Sequence, residues 1–206
     1  IRNNHDSIRE YICNFIMSTL ETNLIQPSTG TSLTIGASGD TITIPSGATI
    51  ANSGTATGFG DLTPSFFANA STNQDISSAT STKVTLGNEA YDTDSAFADS
   101  RFTVPSGEAG KYFFNFAIDC HSLAVDNLEI GQAMIYKNGS LVSEHVLDFR
   151  DHPARRASVA STLVLDLSVS DYIELYANIR DASSSPRITG DSGISTYLGG
   201  FKILGA

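Results

Sequence analysis

Gly110-Lys-Tyr-Phe-Phe-Asn-Phe-Ala-Ile-Asp-Cys120 places a large apolar side chain at every second position. Successive side chains of a strand point to opposite faces, so a period of two residues predicts a strand. One face of this strand would carry Tyr112, Phe114, Phe116 and Ile118, and the other Phe113, Asn115, Ala117 and Asp119. The stretch therefore predicts a long strand with two distinct faces.

A second segment, residues 171–180, has the same period. Ile173, Leu175, Ala177 and Ile179 alternate with Tyr172, Glu174, Tyr176 and Asn178. The period again predicts a strand.

Between the two segments, the dipeptide Asn138-Gly139 separates two further alternating runs. Both central residues of a type I′ turn need positive φ, which Asn and Gly tolerate, so this dipeptide predicts a tight β-hairpin.

Short alternating runs separated by turn residues continue through the second part of the chain, with no alternation of strands and helices. The predicted strands are 64–70, 82–86, 101–104, 110–120, 129–137, 140–149, 156–167, 171–180 and 193–204. Eight or more such strands are typical of an antiparallel sandwich. The predicted fold class is therefore all-β.

The net charge and the hydropathy of the chain disfavour two classes of function, nucleic-acid binding and membrane insertion. The 206-residue chain has a formal net charge of −10, which disfavours binding to a phosphate backbone. It has no apolar stretch of the roughly 18 residues that a membrane span requires. We expect neither nucleic-acid binding nor membrane insertion, and no export signal is recognisable.

The chain has two cysteines, which are too few to make a disulfide framework. We expect Cys120 to be a buried apolar residue.

The first part of the chain differs in composition from the rest. Residues 1–16 have apolar residues at helical spacing and are either a leader helix or an upstream extension. Residues 31–60 contain short Ile/Thr alternations separated by Gly-rich turns. Such strands become stable when several chains wind together, although a flexible linker is the alternative. The predicted organisation is an anchor segment over 1–30, a β stalk and hinge over 31–62, and a head over 63–206.

An ordered set of fragments in the head resembles the complement-one-q-like and tumour-necrosis-factor-like jelly-roll head. The fragments are Ala90–Phe97, Arg101–Gly107, Gly110–Phe116, Lys137–Gly139, Asp171–Leu175 and Gly199–Leu204. The resemblance implies a jelly roll of about ten strands that closes around a threefold axis, and it implies no active site. We therefore expect a homotrimer whose seam buries aromatic side chains; the candidates are Phe113, Tyr172, Tyr176 and Tyr197.

The segment 17–60 is similar to the N-terminal part of fibre-like proteins of tailed bacteriophages. Its opening Met17-Ser-Thr-Leu20 and the stretch Gly39–Ile50 carry this second resemblance. It implies a position on the virion surface, with the N-terminal region attached to another virion protein.

Two arginine-containing loops are candidates for contacting a receptor. They are Arg150-Asp-His-Pro-Ala-Arg-Arg156 and Arg180-Asp-Ala-Ser-Ser-Ser-Pro-Arg187. Loops carry recognition on rigid sandwiches, and arginine is enriched at binding hot spots. The receptor-contact candidates are Arg150, His152, Arg155, Arg156, Arg180 and Arg187. The alternative is a set of solvated turns with local ion pairs.

Metal binding and catalysis have weaker signals. Asp92, Asp94 and Asp99 are oxygen ligands of the kind calcium prefers, but the rest of an EF-hand loop is missing. We expect no cofactor apart from this candidate structural calcium. No nucleophile-elbow motif is present; Ser143 and His145 share a strand face without a third catalytic member. The chain is not expected to be an enzyme.

The sequence thus predicts a trimeric phage fibre whose head attaches to a host surface glycan or protein. The alternative is a capsid or tail decoration protein with a structural role only. A depolymerase tailspike and a secreted ligand are further alternatives from other classes.

Overall fold

The structure is a computed structural model, and it describes residues 25–27, 29–51, 53, 62–191 and 194–203. The chain divides into a first unit up to Gly54 and a second unit from Thr55 onward. We call the described part of the second unit, 62–191 and 194–203, the head. The predictions for residues 1–16, the opening Met17–Leu20 and most of the hinge lie outside the described residues.

The head contains thirteen strands and no helix among the residues that the structure describes. In chain order they are β1 Ser65–Asn69, β2 Gln74–Asp75, β3 Thr82–Lys83, β4 Asn88–Asp92, β5 Phe97–Ala98, β6 Arg101–Thr103, β7 Gly110–Ser122, β8 Leu128–Lys137, β9 Ser140–Asp148, β10 Arg156–Leu167, β11 Tyr172–Asp181, β12 Pro186–Ile188 and β13 Tyr197–Lys202. Each of the nine predicted strands has a counterpart. The prediction missed the short strands β2, β4, β5 and β12.

The strands form two antiparallel sheets that pack face to face. Sheet A has the order β2-β12-β7-β13-β1-β4, with β10 paired along the other side of β7. Sheet B has the order β5-β6-β11-β8-β9, with β3 also paired to β11. The all-β antiparallel sandwich is therefore confirmed.

The core lies between the inner faces of the two sheets. The alternating residues of β7 and β11 are buried as the period predicts: Tyr112, Phe114, Phe116, Ile118, Ile173, Leu175, Ala177 and Ile179 each have 0% exposure. Phe102 stacks on Phe66 at 4.9 Å between ring centroids and lies edge-on to Phe114 at 5.8 Å. Cys120 is buried as expected, and burial raises the pKa of its thiol to about 12.

The hairpin between β8 and β9 has the predicted geometry. Asn138 and Gly139 have φ values of +52° and +78°. The Asn138 side chain donates to Asp171 Oδ1 at 2.6 Å and accepts from the Tyr172 backbone N–H at 2.9 Å. The turn is thereby joined to the start of β11.

Asp171 provides a test of this junction by pH. Hydrogen bonds from Lys137, Asn138 and the Ser168 N–H lower the pKa of Asp171 to about 2 from the ordinary 3.8. Because the folded-state pKa is depressed, the stabilisation is present above pH 3.8 and is lost as the pH falls toward 2. We expect Asp171→Asn to be less stable than the parent chain at neutral pH and equally stable near about pH 2. Urea unfolding at several pH values measures this.

The matched control is Asp166→Asn, which removes the same charge at an exposed position of β10. Because the Asp166 side chain is exposed, this variant should have nearly the stability of the parent chain at neutral pH. A stability loss in Asp171→Asn that stays constant from neutral to acid pH would contradict the assignment.

The first unit has no strand within 25–27, 29–51 and 53, the residues described there. Turns lie where the Gly-rich spacers predicted them, with Asp40 N–H donating to Ala37 O at 3.0 Å and Ala48 N–H to Pro45 O at 3.1 Å. Ile35, Ile42, Ile44 and Ile50 are each 47–62% exposed in the single chain. The stalk hypothesis concerns several chains wound together, so it stays a prediction. No helix in the described parts of the chain has the length and apolarity to cross a membrane.

Candidate functional site

The outer face of sheet A carries a group of apolar side chains turned away from the core. Phe113 and Phe201 are paired across β7 and β13, with ring centroids 5.2 Å apart. Phe67 and Tyr197 stack at 5.3 Å on the neighbouring strands. With Tyr91 and Val164, which are 52% and 53% exposed, these residues define what we call the aromatic face.

The register of sheet A explains why these residues share one face. Phe66 and Ala68 of β1 point into the core, so Phe67 between them points outward. Phe67 lies directly opposite Gly199, where an added Cβ would come within 2.8 Å of the Phe67 ring. The absence of a side chain at Gly199 therefore leaves the space that the Phe67 ring occupies.

A second exposed apolar surface lies along one side of the sandwich. β9 pairs only with β8 and β10 only with β7 among the strands of the described head, so both strands are sheet edges. Val142 and Val146 of β9 are 43% and 48% exposed there. We call the edge strand β9, with Val142 and Val146, the open edge. Unpaired strand edges with apolar side chains favour association with another chain.

The four seam candidates lie on opposite sides of the molecule. Phe113 and Tyr197 belong to the aromatic face of sheet A, as β7 and β13 are neighbours. Tyr172 and Tyr176 alternate with buried Ile173 and Leu175 and therefore lie on the outer face of sheet B. One sheet face does not contain all four residues.

On sheet B, Tyr172 and Tyr176 belong to a mixed aromatic and charged cluster. Glu174 accepts from Lys83 Nζ at 2.7 Å and from Arg101 Nε at 2.9 Å. The Arg101 guanidinium lies 4.0 Å above the Tyr172 ring, and Tyr176 contacts Tyr136 with centroids 4.3 Å apart. We call Lys83, Arg101, Tyr136, Tyr172, Glu174 and Tyr176 the tyrosine platform.

Glu174 is the buried centre of the tyrosine platform, with a side chain only 4% exposed. Burial alone would raise its pKa, but the hydrogen bonds from Lys83 and Arg101 together hold the pKa below its ordinary value. The carboxylate is therefore charged at neutral pH, although it is covered on an outer sheet face. Sequence reasoning grouped Tyr172 and Tyr176 with the seam and missed the role of Lys83 and Arg101.

The receptor-contact candidates are brought together at one end of the head. The Leu123 N–H donates to Ser185 O, the Ala182 N–H to Asn127 O and the Ser122 N–H to Arg155 O. These bonds place the loops 123–127, 149–155 and 182–185 side by side. We call the end of the head that these three loops form the loop end. It lies at the end of β7, whereas Ser65 of β1 and Phe201 of β13 pair near the start of β7, at the opposite end of the head.

Most arginines of the loop end have acidic partners. Arg156 Nε contacts both oxygens of the buried Asp119 at 2.8 and 2.9 Å. Arg180 contacts Glu129 at 2.7 Å, Arg187 contacts Asp75 at 2.6 Å, and Arg150 Nε contacts Asp148 at 2.9 Å. His152 and Arg155 are exposed. The local ion pairs that formed the alternative interpretation are therefore present, and receptor contact stays a prediction.

The calcium candidates do not form a ligand set. Both oxygens of Asp92 accept backbone N–H groups, Oδ1 from Ala96 at 3.0 Å and Oδ2 from Phe97 at 2.8 Å. Asp94 accepts from the Thr93 hydroxyl at 2.6 Å. Within the head and the other described residues, no three His, Cys, Asp or Glu side chains are grouped to hold a metal. Asp92 instead stabilises the turn between β4 and β5.

Ser143 and His145 share a face of β9, with Ser143 Oγ 3.3 Å from His145 Nε2. The His145 ring lies 5.9 Å from the core residue Phe116. The contacts of the described residues give His145 no carboxylate partner, so the arrangement lacks the third group of a hydrolytic triad.

Comparisons with known proteins bear on the fold. No family model and no curated protein matches the sequence. The chain is similar to the crystal structure of murine APRIL at pH 5.0, with 13% identity, a TM-score of 0.50, and coverage of 68% of this chain and 98% of that one.

Two further solved structures are similar to the chain. Eiger TNF from S. frugiperda matches with 12% identity, a TM-score of 0.50, and coverage of 69% of this chain and 93% of that one. The globular domain of zebrafish complement 1qA protein matches at 15% identity and a TM-score of 0.47, over 68% of this chain and 97% of that one. At such identities the likeness to the APRIL and Eiger structures shows the fold alone, a jelly-roll sandwich.

Proposed function

We propose that the chain is a homotrimeric adhesion protein of a phage virion, in which the aromatic face of one copy packs against the open edge of the next. The observation that carries this proposal is the outward-facing cluster of Phe67, Phe113, Tyr197 and Phe201, which a single copy leaves only half-buried. Contiguous exposed apolar surface of this kind marks an interaction site.

The aromatic face and the open edge favour a ring over a two-fold dimer. The two surfaces differ, since one is a face of sheet A with stacked rings and the other is the edge strand β9 of sheet B with Val142 and Val146. When a surface on one copy fits a different surface on the next copy, the assembly closes into a ring or continues as a filament. A ring of three is what the jelly-roll resemblance implies.

Adhesion follows from three copies of the head acting together. Weak contacts from each copy become tight because the second and third contacts are effectively intramolecular. In the described head, Ser143 and His145 have no carboxylate partner that would complete a hydrolytic triad. A binding role requires only surfaces that the sandwich holds in a fixed relation.

The test combines sedimentation with cell binding. The chain of 21.8 kDa is expected to sediment at micromolar concentration as a species of about 65 kDa. The labelled trimer should adhere to some members of a panel of bacterial strains. A folded species of single-chain mass would overturn the assembly, whereas a trimer that binds no strain but is found in purified virions would favour the decoration role.

A further inference from the structure

We propose that the tyrosine platform on sheet B binds a neutral, hydroxyl-rich oligosaccharide. The inference rests on the adhesion role proposed above and deepens it by naming the site and the chemical class of ligand. It places recognition on the side of the sandwich opposite the aromatic face, away from the arginine loops.

The Glu174 carboxylate is the polar feature of the tyrosine platform that points to a ligand. All the cation contacts that the structure gives this side chain reach one oxygen, Oε1, from Lys83 Nζ at 2.7 Å, Arg101 Nε at 2.9 Å and Arg101 Nη2 at 2.8 Å. A carboxylate has acceptor positions on both oxygens. Oε2 therefore retains acceptor capacity for a ligand hydroxyl, on a side chain that is only 4% exposed.

The surrounding side chains are held in place before any ligand arrives. Arg101 is fixed from two sides, by Glu174 and by the Tyr172 ring 4.0 Å below its guanidinium. Tyr136 and Tyr176 contact each other at 4.3 Å on adjacent strands. Rigid tyrosines offer contact area with little conformational entropy to lose, and such preorganisation favours binding.

The chemistry of the tyrosine platform indicates a sugar. A pyranose ring has an apolar C–H face, which packs on a tyrosine ring, and hydroxyls around its rim, which donate and accept hydrogen bonds. The platform supplies both kinds of partner, because the rings lie beside a charged acceptor, Glu174, and two charged donors, Lys83 and Arg101. Charge-assisted hydrogen bonds of this type give orientation and specificity.

Charge and polarity argue against other occupants. The net charge of −10 disfavours a polyanion, although the tyrosine platform itself has two cations for one carboxylate. A second copy of the chain has a better partner surface in the aromatic face, where Phe113 packs on Phe201 and Phe67 on Tyr197. A neutral oligosaccharide fits the tyrosine platform best.

The experiment titrates the intact trimer with a panel of neutral hexasaccharides, made of glucose, galactose or mannose units, and with a galacturonate hexamer. Binding is followed by calorimetry. At least one neutral hexasaccharide is expected to bind, and Tyr176→Ala to weaken it by about tenfold or more, the scale of an interface hot spot. Tyr176→Phe keeps the ring and should retain most of the affinity. Arg101→Lys keeps the positive charge but loses the planar guanidinium that contacts both Glu174 and the Tyr172 ring, so this variant should bind the sugar more weakly.

Lys202→Ala is the matched control, because it removes a cation that pairs with Glu108 at 2.9 Å, outside both the tyrosine platform and the receptor-contact candidates, and it should leave the affinity unchanged. Arg150→Ala tests the competing arginine loops. The proposal is overturned if no neutral hexasaccharide binds, if only the galacturonate hexamer binds, or if Arg150→Ala abolishes binding while Tyr176→Ala does not. Trimer mass and cell adhesion are measured on the same samples. A trimer that adheres to cells without binding sugar would overturn the sugar site alone, and a single-chain mass would overturn the proposed function.

Discussion

Phe113→Asp is expected to convert the assembled protein into single folded subunits. Phe113 belongs to the aromatic face, on the long strand β7, and contacts Phe201 at 5.2 Å. In the proposed trimer each copy would bury this side chain against the next. An aspartate there would be desolvated without a partner in all three seams, and an unpaired buried charge costs several kcal/mol.

The expected shift in the association equilibrium is large. A loss of about 3 kcal/mol at each seam corresponds to more than about 100-fold per contact. At micromolar concentration the species of about 65 kDa should therefore disappear in favour of the 21.8 kDa chain, as measured by sedimentation velocity. The circular dichroism spectrum should remain that of a β protein, because Phe113 faces outward and is not part of the buried core.

The control for Phe113→Asp is Asn178→Asp, which adds the same charge on the outer face of sheet B. It should leave the mass of the assembly unchanged. If Asn178→Asp dissociates the assembly while Phe113→Asp does not, the seam lies on sheet B, where Tyr172 and Tyr176 were also seam candidates.

The division of the seam candidates shows what a local pattern determines. The period of β7 and β11 predicted which side chains alternate, and the structure confirms both sets of buried residues. The pattern carries no information about which sheet a strand joins. β7 lies in sheet A and β11 in sheet B, so outward-facing aromatics of the two strands are on opposite sides of the molecule.

The strands β2 and β5 were not predicted because the sequence pattern is local, whereas these strands depend on their neighbours in the fold. β2 and β5 are two residues long, which is too short for any period to be recognised. They exist because a longer neighbour offers backbone partners, as β6 does for β5. Turn chemistry was more informative, because the requirement for positive φ is local; the Asn138-Gly139 hairpin was predicted for the correct reason.

The cation partners of Glu174 in the tyrosine platform could not be predicted from the sequence, because they are far from Glu174 along the chain. Glu174 is 91 residues from Lys83 and 73 residues from Arg101. The sequence showed a carboxylate between two tyrosines on a strand, which was the available signal. The two cations become its partners only through the pairing of β3 and β6 with β11.

Phe102→Ala and Phe67→Ala are expected to act on different properties, although the chemical change is the same. Both are best made in the Phe113→Asp chain, whose unfolding as a single subunit does not depend on assembly. Phe102 is 1% exposed and packs against Phe66, Tyr112 and Phe114 at 4.9–5.8 Å. Removing a fully buried phenylalanine leaves a cavity and typically costs about 3–5 kcal/mol.

Phe67 follows Phe66 in the sequence but lies on the outer face of sheet A. It is half-buried against Tyr197, with the two ring centroids 5.3 Å apart. Its truncation should cost about 1 kcal/mol in the single subunit, the scale of one aromatic pair. In the otherwise unchanged chain, however, Phe67→Ala should weaken assembly, because that ring belongs to the aromatic face. Urea unfolding gives the first quantity and sedimentation the second.

Together these variants separate folding from assembly. If the core lies between the two sheets and the outer face of β1 contacts a neighbouring copy, the loss of unfolding free energy must be large for Phe102 of β6 and small for Phe67 of β1. The loss of association in the assembled chain must be clear for Phe67. Equal unfolding losses for the two variants would mean that Phe67 is part of the folding core of the single subunit. The aromatic face would then be ordinary packing, and the assembly would need another surface.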